Sequence, residues 1–302
     1  MEYAKIPLSL EAQADLLISR GLSVPNKNEL VEILRKINYY RLSGYLFTFK
    51  QIDPYTKQEV FIPGTNLSTI IQRYEFDRQI RILLMDAIER IEVAILRTRF
   101  VEKYSLKFGA FGYSDFSTFN SKFCHDDFEK LMDDIKNDEI QSHEQFITHY
   151  HSKYDNQQLP IWMLAEIMSY GQLFTLFRNS NPVLKREIAN EFHLYSNVLD
   201  SWLHTLNFIR NCCAHHCRLW NRELPISPII PDKKHDKTWY EPAAISNRRI
   251  FVVLTLTRYL LFWIDQKNEW HKTVISLIEK NPEIPLSMMG FPKNWQDTVF
   301  WK

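Results

Sequence analysis

Between Ile209 and His216 the chain sets Arg210, Asn211 and His215 within six residues, directly after an apolar run. A guanidinium keeps its charge at any working pH, whereas an imidazole changes protonation state near neutrality. Side by side they can steady charge developing on a phosphate and move a proton in one small site. Those are the two tasks of cutting RNA without a metal. The 2′-hydroxyl is the nucleophile, the imidazole transfers the proton, and the guanidinium holds the oxyanion of the pentavalent phosphorus.

Asn211 and His215 lie four apart, so in a helix they share a face. Arg210 sits about 100° round the axis from Asn211. A last turn that frays or tightens toward three residues per turn would let Arg210 and His215 converge on one phosphate. Asn211 then orients His215 or the phosphate, or is simply a polar helix-end residue. His216 either hydrogen-bonds Asn211 or contacts RNA. Arg218 and Arg222, with Trp220 and Asn221 between them, admit two readings. In one, the arginines hold phosphates and Trp220 stacks on a base. In the other, Trp220 packs inward and Arg222 pairs with an acid. Packing for Trp220 and an RNA or dimer contact for Arg218 are the expectations here.

The pattern Arg-Asn-x-x-x-His resembles the signature of HEPN ribonucleases. Further blocks are similar, in the same order, to those of the Abi-like proteins of bacterial abortive infection. They are the lead-in Gln13 to Gly21, the segment Ile37-Asn38-Tyr39-Tyr40-Arg41-Leu42-Ser43-Gly44-Tyr45, and the helix Tyr74 to Arg81 continuing to Glu92 and Arg97. Pro160-Ile161-Trp162 with Ser169-Tyr170-Gly171 follows, then His215 to Arg222. The blocks span most of residues 10 to 265 and resemble the AbiD/AbiF-type branch, which carries a HEPN domain. The resemblance implies a metal-independent endoribonuclease acting as a toxin-like anti-phage effector, with neither metal nor other cofactor. Arg210, Asn211 and His215 would be catalytic, and His216, Arg218 and Arg222 would support them or bind RNA. It also implies a homodimer with a composite site, a 2′,3′-cyclic phosphate product, and restraint by a structured non-coding RNA. The alternative is a non-catalytic RNA-binding scaffold using the same surface. Tyr39, Tyr40, Arg41 and Tyr45 favour a structural, bracing role over RNA contact.

Such a site needs a rigid frame, and the periodicity is helical nearly throughout. Leu84, Ile88, Ile91 and Ile95 mark one stripe, and Phe76, Ile80, Leu83 and Ala87 a second, on a helix expected from Leu67 to Lys103. Other helices are expected at Leu10 to Ser19, Asn28 to Phe49, Phe128 to Asn137, Glu144 to Lys153, Ile161 to Phe177 and Pro182 to Glu191. Ser196 to Ala214, Ser246 to Asp265 and His271 to Glu279 complete the set. Gln51 to Asn66, Lys107 to Ser121 and Asn221 to Ala244 read as irregular. The last holds four prolines and could close over the site or lie across a partner subunit. The expected fold is therefore all-α: an N-terminal helical extension, 1–65, and a HEPN-like helical bundle, 66–302, in one continuous unit.

Composition narrows the classes further. The formal charge is +1, which excludes a generic polyanion binder, yet residues 207–250 carry a local +4 around the motif. Asp126 to Glu139, with seven acids and two lysines, reads as a solvated face. Cys212, Cys213 and Cys217 crowd together and Cys124 stands far off, so a disulfide framework is not expected and a reducing cytoplasm is the simpler location. The N-terminus lacks signal-peptide regions, and the apolar run Ile250 to Ile264 is short for a membrane span and contains Arg258. Zinc held by Cys212, Cys213, His215, His216 and Cys217 is disfavoured, because one helical cluster points its ligands around the axis. A two-metal site at Asp126, Asp127, Asp133 and Asp134 is discounted for want of a histidine on that helix.

Overall fold

The computed structural model describes residues 6–155 and 158–302. The fold is all-α, with a single pair of three-residue strands among the described residues. The helices are α1 (Leu10–Ser19), α2 (Lys27–Ile37), α3 (Tyr39–Leu46), α4 (Leu67–Ile91), α5 (Val101–Phe108), α6 (His125–Gln141) and α7 (Gln145–Lys153). There follow α8 (Ile161–Ile167), α9 (Tyr170–Asn179), α10 (Pro182–Glu191), α11 (Ser196–Ala214), α12 (Ile250–Ile264) and α13 (Trp270–Glu279).

Two helices expected to be continuous are broken, each by a capping residue. Asn38 takes φ 59°, ψ 155°, a region that L side chains seldom enter. It ends α2, and its side chain accepts from the Arg41 N–H at 2.9 Å to start α3. Ser169 ends the run begun at Ile161. With Gln172 it forms a reciprocal capping box that opens α9. The segment after α3, read as irregular, holds the antiparallel pair β1 (Lys50–Ile52) and β2 (Glu59–Phe61), with Lys50 opposite Phe61. Asp53 gathers the turn by accepting from Tyr55 N–H at 3.0 Å and Thr56 N–H at 2.6 Å.

The chain divides into two compact units. One runs through Ile80 and takes in Ser276–Ile284; the other comprises Arg81–Ile275 and Pro285–Lys302. In the first, Tyr45 is buried and its hydroxyl donates to the buried carboxylate of Asp77 at 2.5 Å. Tyr39 is half-buried and Tyr40 is 88% exposed, so the three tyrosines of that block divide between inner and outer faces.

The second unit holds the motif. α11 buries Val198, Leu199, Trp202, Leu203, Leu206, Ile209, Cys212 and Cys213, and α12 is buried along most of its length. Glu92–Phe100, between α4 and α5, is π-helical. Within it Arg97 meets Glu92 at 2.5 Å, with both side chains largely buried. Arg97 also donates to the carbonyls of Ala165 and Met168, thereby capping the C-terminal end of α8. Tyr170, fully buried, donates to the Leu203 carbonyl at 3.0 Å and so ties α9 to α11. Among the described residues no helix is long and apolar enough to cross a membrane.

Candidate functional site

The motif occupies the last turn of α11 and the bend after it. His215 is the C-cap, with φ −88° and ψ 10°, and its N–H still bonds the Asn211 carbonyl at 2.9 Å. His216 follows at φ 56°, in the left-handed region. Its N–H reaches Cys213 O at 3.0 Å, while Cys217 N–H reaches Cys212 O at 2.8 Å. This crossed pair of bonds is the Schellman arrangement, which usually places glycine where His216 stands. Arg81 of α4, only 6% exposed, donates to the Cys217 carbonyl at 3.4 Å and braces the bend from below.

The last turn thus keeps α-helical bonding and does not tighten. Arg210 and Asn211 come together in another way, through side chains: the half-buried Arg210 donates to the Asn211 amide oxygen at 3.4 Å. Asn211, His215 and His216 are exposed. Solvent can reach all three.

The bend stores some backbone strain, because a left-handed β-carbon crowds the neighbouring carbonyl. Gly in place of His216 removes that clash but loosens the unfolded chain. We expect His216→Gly to leave stability unchanged or raise it by up to about 1 kcal/mol. Urea denaturation measures this, and a loss above about 1 kcal/mol would show that the imidazole itself holds the turn.

A longer polar stripe, which the reading of the motif alone overlooks, leads to this end. Asp200, His204, Asn207, Asn211 and His215 follow at steps of four, three, four and four, so all lie on one face of α11. The His204 ring stacks on Phe174 of α9, with 5.5 Å between centroids and 13° between planes. A recess of about 500 Å³ opens over His204 and Asn207, and Lys122, Lys130 and Arg178 line it with Asp127 and Asp134. Asn207 also lines the adjoining recess, where Gln172 donates to Asp138 at 2.6 Å. Burial holds the His204 pKa below its ordinary value, assisted by Arg178. Burial raises that of Asp200, whose partners Arg178 and Lys185 stand at 3.7 and 3.8 Å, beyond hydrogen-bond range.

The basic residues after the motif are tied into the turn. Arg218 donates to the Trp220 carbonyl at 2.8 Å. Arg222 meets Cys212 Sγ at 3.7 Å and lies over the Phe208 ring at 5.3 Å, so a thiol and a ring stand where one of the two readings put an acid. Trp220 is fully buried, in line with packing. The segment 221–244 runs along another side of α11: Trp202 donates to Ile229 O at 2.7 Å, and Ser201 accepts from Ile229 N–H at 2.9 Å. These anchors lie away from the stripe, and the segment does not cover its polar residues through them.

All four cysteines are free, and Cys212 and Cys213 are buried, where burial raises the Cys212 thiol pKa. Among the described residues, three potential ligand atoms converge at His125, Asp126 and Glu129, within 4.8 Å of one another and exposed. The acidic helix therefore does carry a histidine: α6 begins three residues before its expected start and includes His125.

A family model for Abi-like proteins matches residues 32–221, well over half of the chain. The chain belongs to the Abi-like family. No curated protein and no solved structure matched it. The Abi-like match takes in Asn38, Arg81, the Glu92–Arg97 pair, Ser169 to Gly171 and the motif. The lead-in Gln13 to Gly21 and Arg222 fall outside it. Several matched residues are braces: Arg81 supports the bend, Arg97 caps α8, and Tyr170 ties α9 to α11.

Proposed function

We propose that this Abi-like protein is a metal-independent endoribonuclease of the HEPN type, working in the cytoplasm as an abortive-infection effector. One observation carries the reading: an exposed helix end presents His215, with Asn211 one turn before it on the same face and the Arg210 guanidinium at the Asn211 amide. His215 as base takes the proton of a 2′-hydroxyl, and the 2′-oxygen attacks phosphorus. Arg210 neutralises the charge on the non-bridging oxygens as the 5′-oxygen departs. An imidazolium returns a proton to that oxygen, leaving a 2′,3′-cyclic phosphate and a 5′-hydroxyl.

The helix geometry supports a composite site. Side chains five apart radiate about 140° from each other round an α-helix, so one chain aims Arg210 and His215 divergently. Two motifs facing across a two-fold axis would supply a base, an acid and two guanidiniums to one phosphate. Restraint by a structured non-coding RNA fits the same surface, where Lys122, Lys130 and Arg178 border the stripe.

The test is to incubate the protein with total RNA in EDTA and map the ends of the fragments. The proposal expects cleavage with cyclic-phosphate 3′ ends. RNA binding without any cleavage would leave the scaffold reading instead.

A further inference from the structure

Arg258 is the single charged residue of α12, whose other polar groups are the hydroxyls of Thr255, Thr257 and Tyr259 and the Trp263 indole. Among the described residues it makes no hydrogen bond and no ion pair, and its Nε and Nη1 are closed to solvent without an acceptor. Its guanidinium carbon lies 5.5 Å from the centre of the Phe262 ring, and its charge reaches the His271 imidazole. An arginine stays protonated under all ordinary conditions, so a half-buried guanidinium without a counter-ion is a charge awaiting compensation.

The surroundings show what could compensate it. Arg258 lines a half-open cleft of about 570 Å³, within the range of small-molecule sites. Its walls are aromatic: Tyr259, Phe262, Trp263 and Phe300, joined by the imidazoles of His193 and His235. The His193 ring lies 4.1 Å from that of Trp263. Tyr259 spends its hydroxyl on the Phe192 carbonyl at 2.9 Å, leaving its ring to the cleft. The one carboxylate in the lining, Asp236, is taken up by the Thr238 backbone N–H at 3.0 Å and by the Thr238 hydroxyl. The cleft therefore offers flat aromatic faces and one cation without an ion-pair partner, beside a carboxylate that keeps its charge while Thr238 occupies its Oδ1.

The geometry points to a binding site for a nucleoside monophosphate, its phosphate on Arg258 and its base against the aromatic wall. With Nε and Nη1 closed to solvent, Nη2 is the nitrogen left to donate to a phosphate oxygen, and stacking on aromatic side chains tolerates any base. None of the residues that line this cleft belongs to the α11 stripe, so the site stands or falls apart from the proposed cleavage chemistry.

Isothermal titration of the full chain with AMP, GMP, CMP and UMP tests it, with inorganic phosphate as the probe for charge alone. At least one nucleotide is expected to bind with Kd below about 1 mM, and at least ~10-fold more tightly than phosphate. Arg258→Met should weaken that binding at least ~10-fold while leaving Tm equal or higher, because it removes an unpaired charge. Phe262→Ala, at the partly exposed rim, should weaken the nucleotide and not phosphate, and it serves if Arg258→Met fails to fold. No binding by any nucleotide, or equal binding by wild type and Arg258→Met, overturns the assignment. So does a lowered Tm with binding retained.

Discussion

Replacing His215 with alanine is expected to lower RNA cleavage by about 10²- to 10⁴-fold, the range for loss of a general base. RNA affinity should barely move, since phosphate binding rests mainly on lysine and arginine charge. Arg210→Ala should cost about 10²- to 10³-fold, the usual effect of losing one donor to a developing oxyanion. Lysine at position 210 should restore little, because an ammonium lacks the planar fork that reaches two oxygens. Single-turnover cleavage of a labelled RNA in EDTA measures all three. Cleavage by His215→Ala at the wild-type rate would remove the motif from the chemistry.

The second large effect concerns stability. Arg97→Ala leaves the buried Glu92 carboxylate unpaired and strips the Ala165 and Met168 carbonyls of their donor. Breaking a buried pair on one side costs about 3–5 kcal/mol. In a unit of this size that lowers Tm by roughly 6–20 °C. Replacing both partners, Glu92→Leu with Arg97→Met, should recover part of the loss, because no charge is then stranded. Calorimetry reads both variants. A shift under about 2 °C for Arg97→Ala would mean that water already solvates the pair.

Local signals set much of this architecture. α1, α10 and α11 begin and end where sequence places them, and Ser9 and Asn181 supply side-chain caps for the first two. The break at Ser169 was also legible, since Ser169 and Gln172 have capping-box spacing, but continuous apolar periodicity masked it. The break at Asn38 was not, because its backbone conformation is one that asparagine rarely takes. The π-helical stretch has no sequence signature either; the Glu92–Arg97 pair and the capped end of α8 become visible only once the helices pack. At the site, residue type and spacing singled out Arg210, Asn211 and His215. The stripe back to Asp200 is written in the same spacing, but its polar residues gain meaning only once the helix packs with that face open. The partners of Arg218 and Arg222 depend on how the chain turns after the helix, which no local pattern specifies.

The bend at His216 carries a consequence for how this sequence can vary. Cys217 N–H must find Cys212 O, and His216 N–H must find Cys213 O, so the register from helix to turn has no slack. Inserting or deleting one residue before His215 would swing its imidazole about 100° round the axis, away from Asn211. Loops elsewhere can lengthen at little penalty; this one is a fixed ruler, and natural variation in its length should be purged while substitutions on its outer side are tolerated.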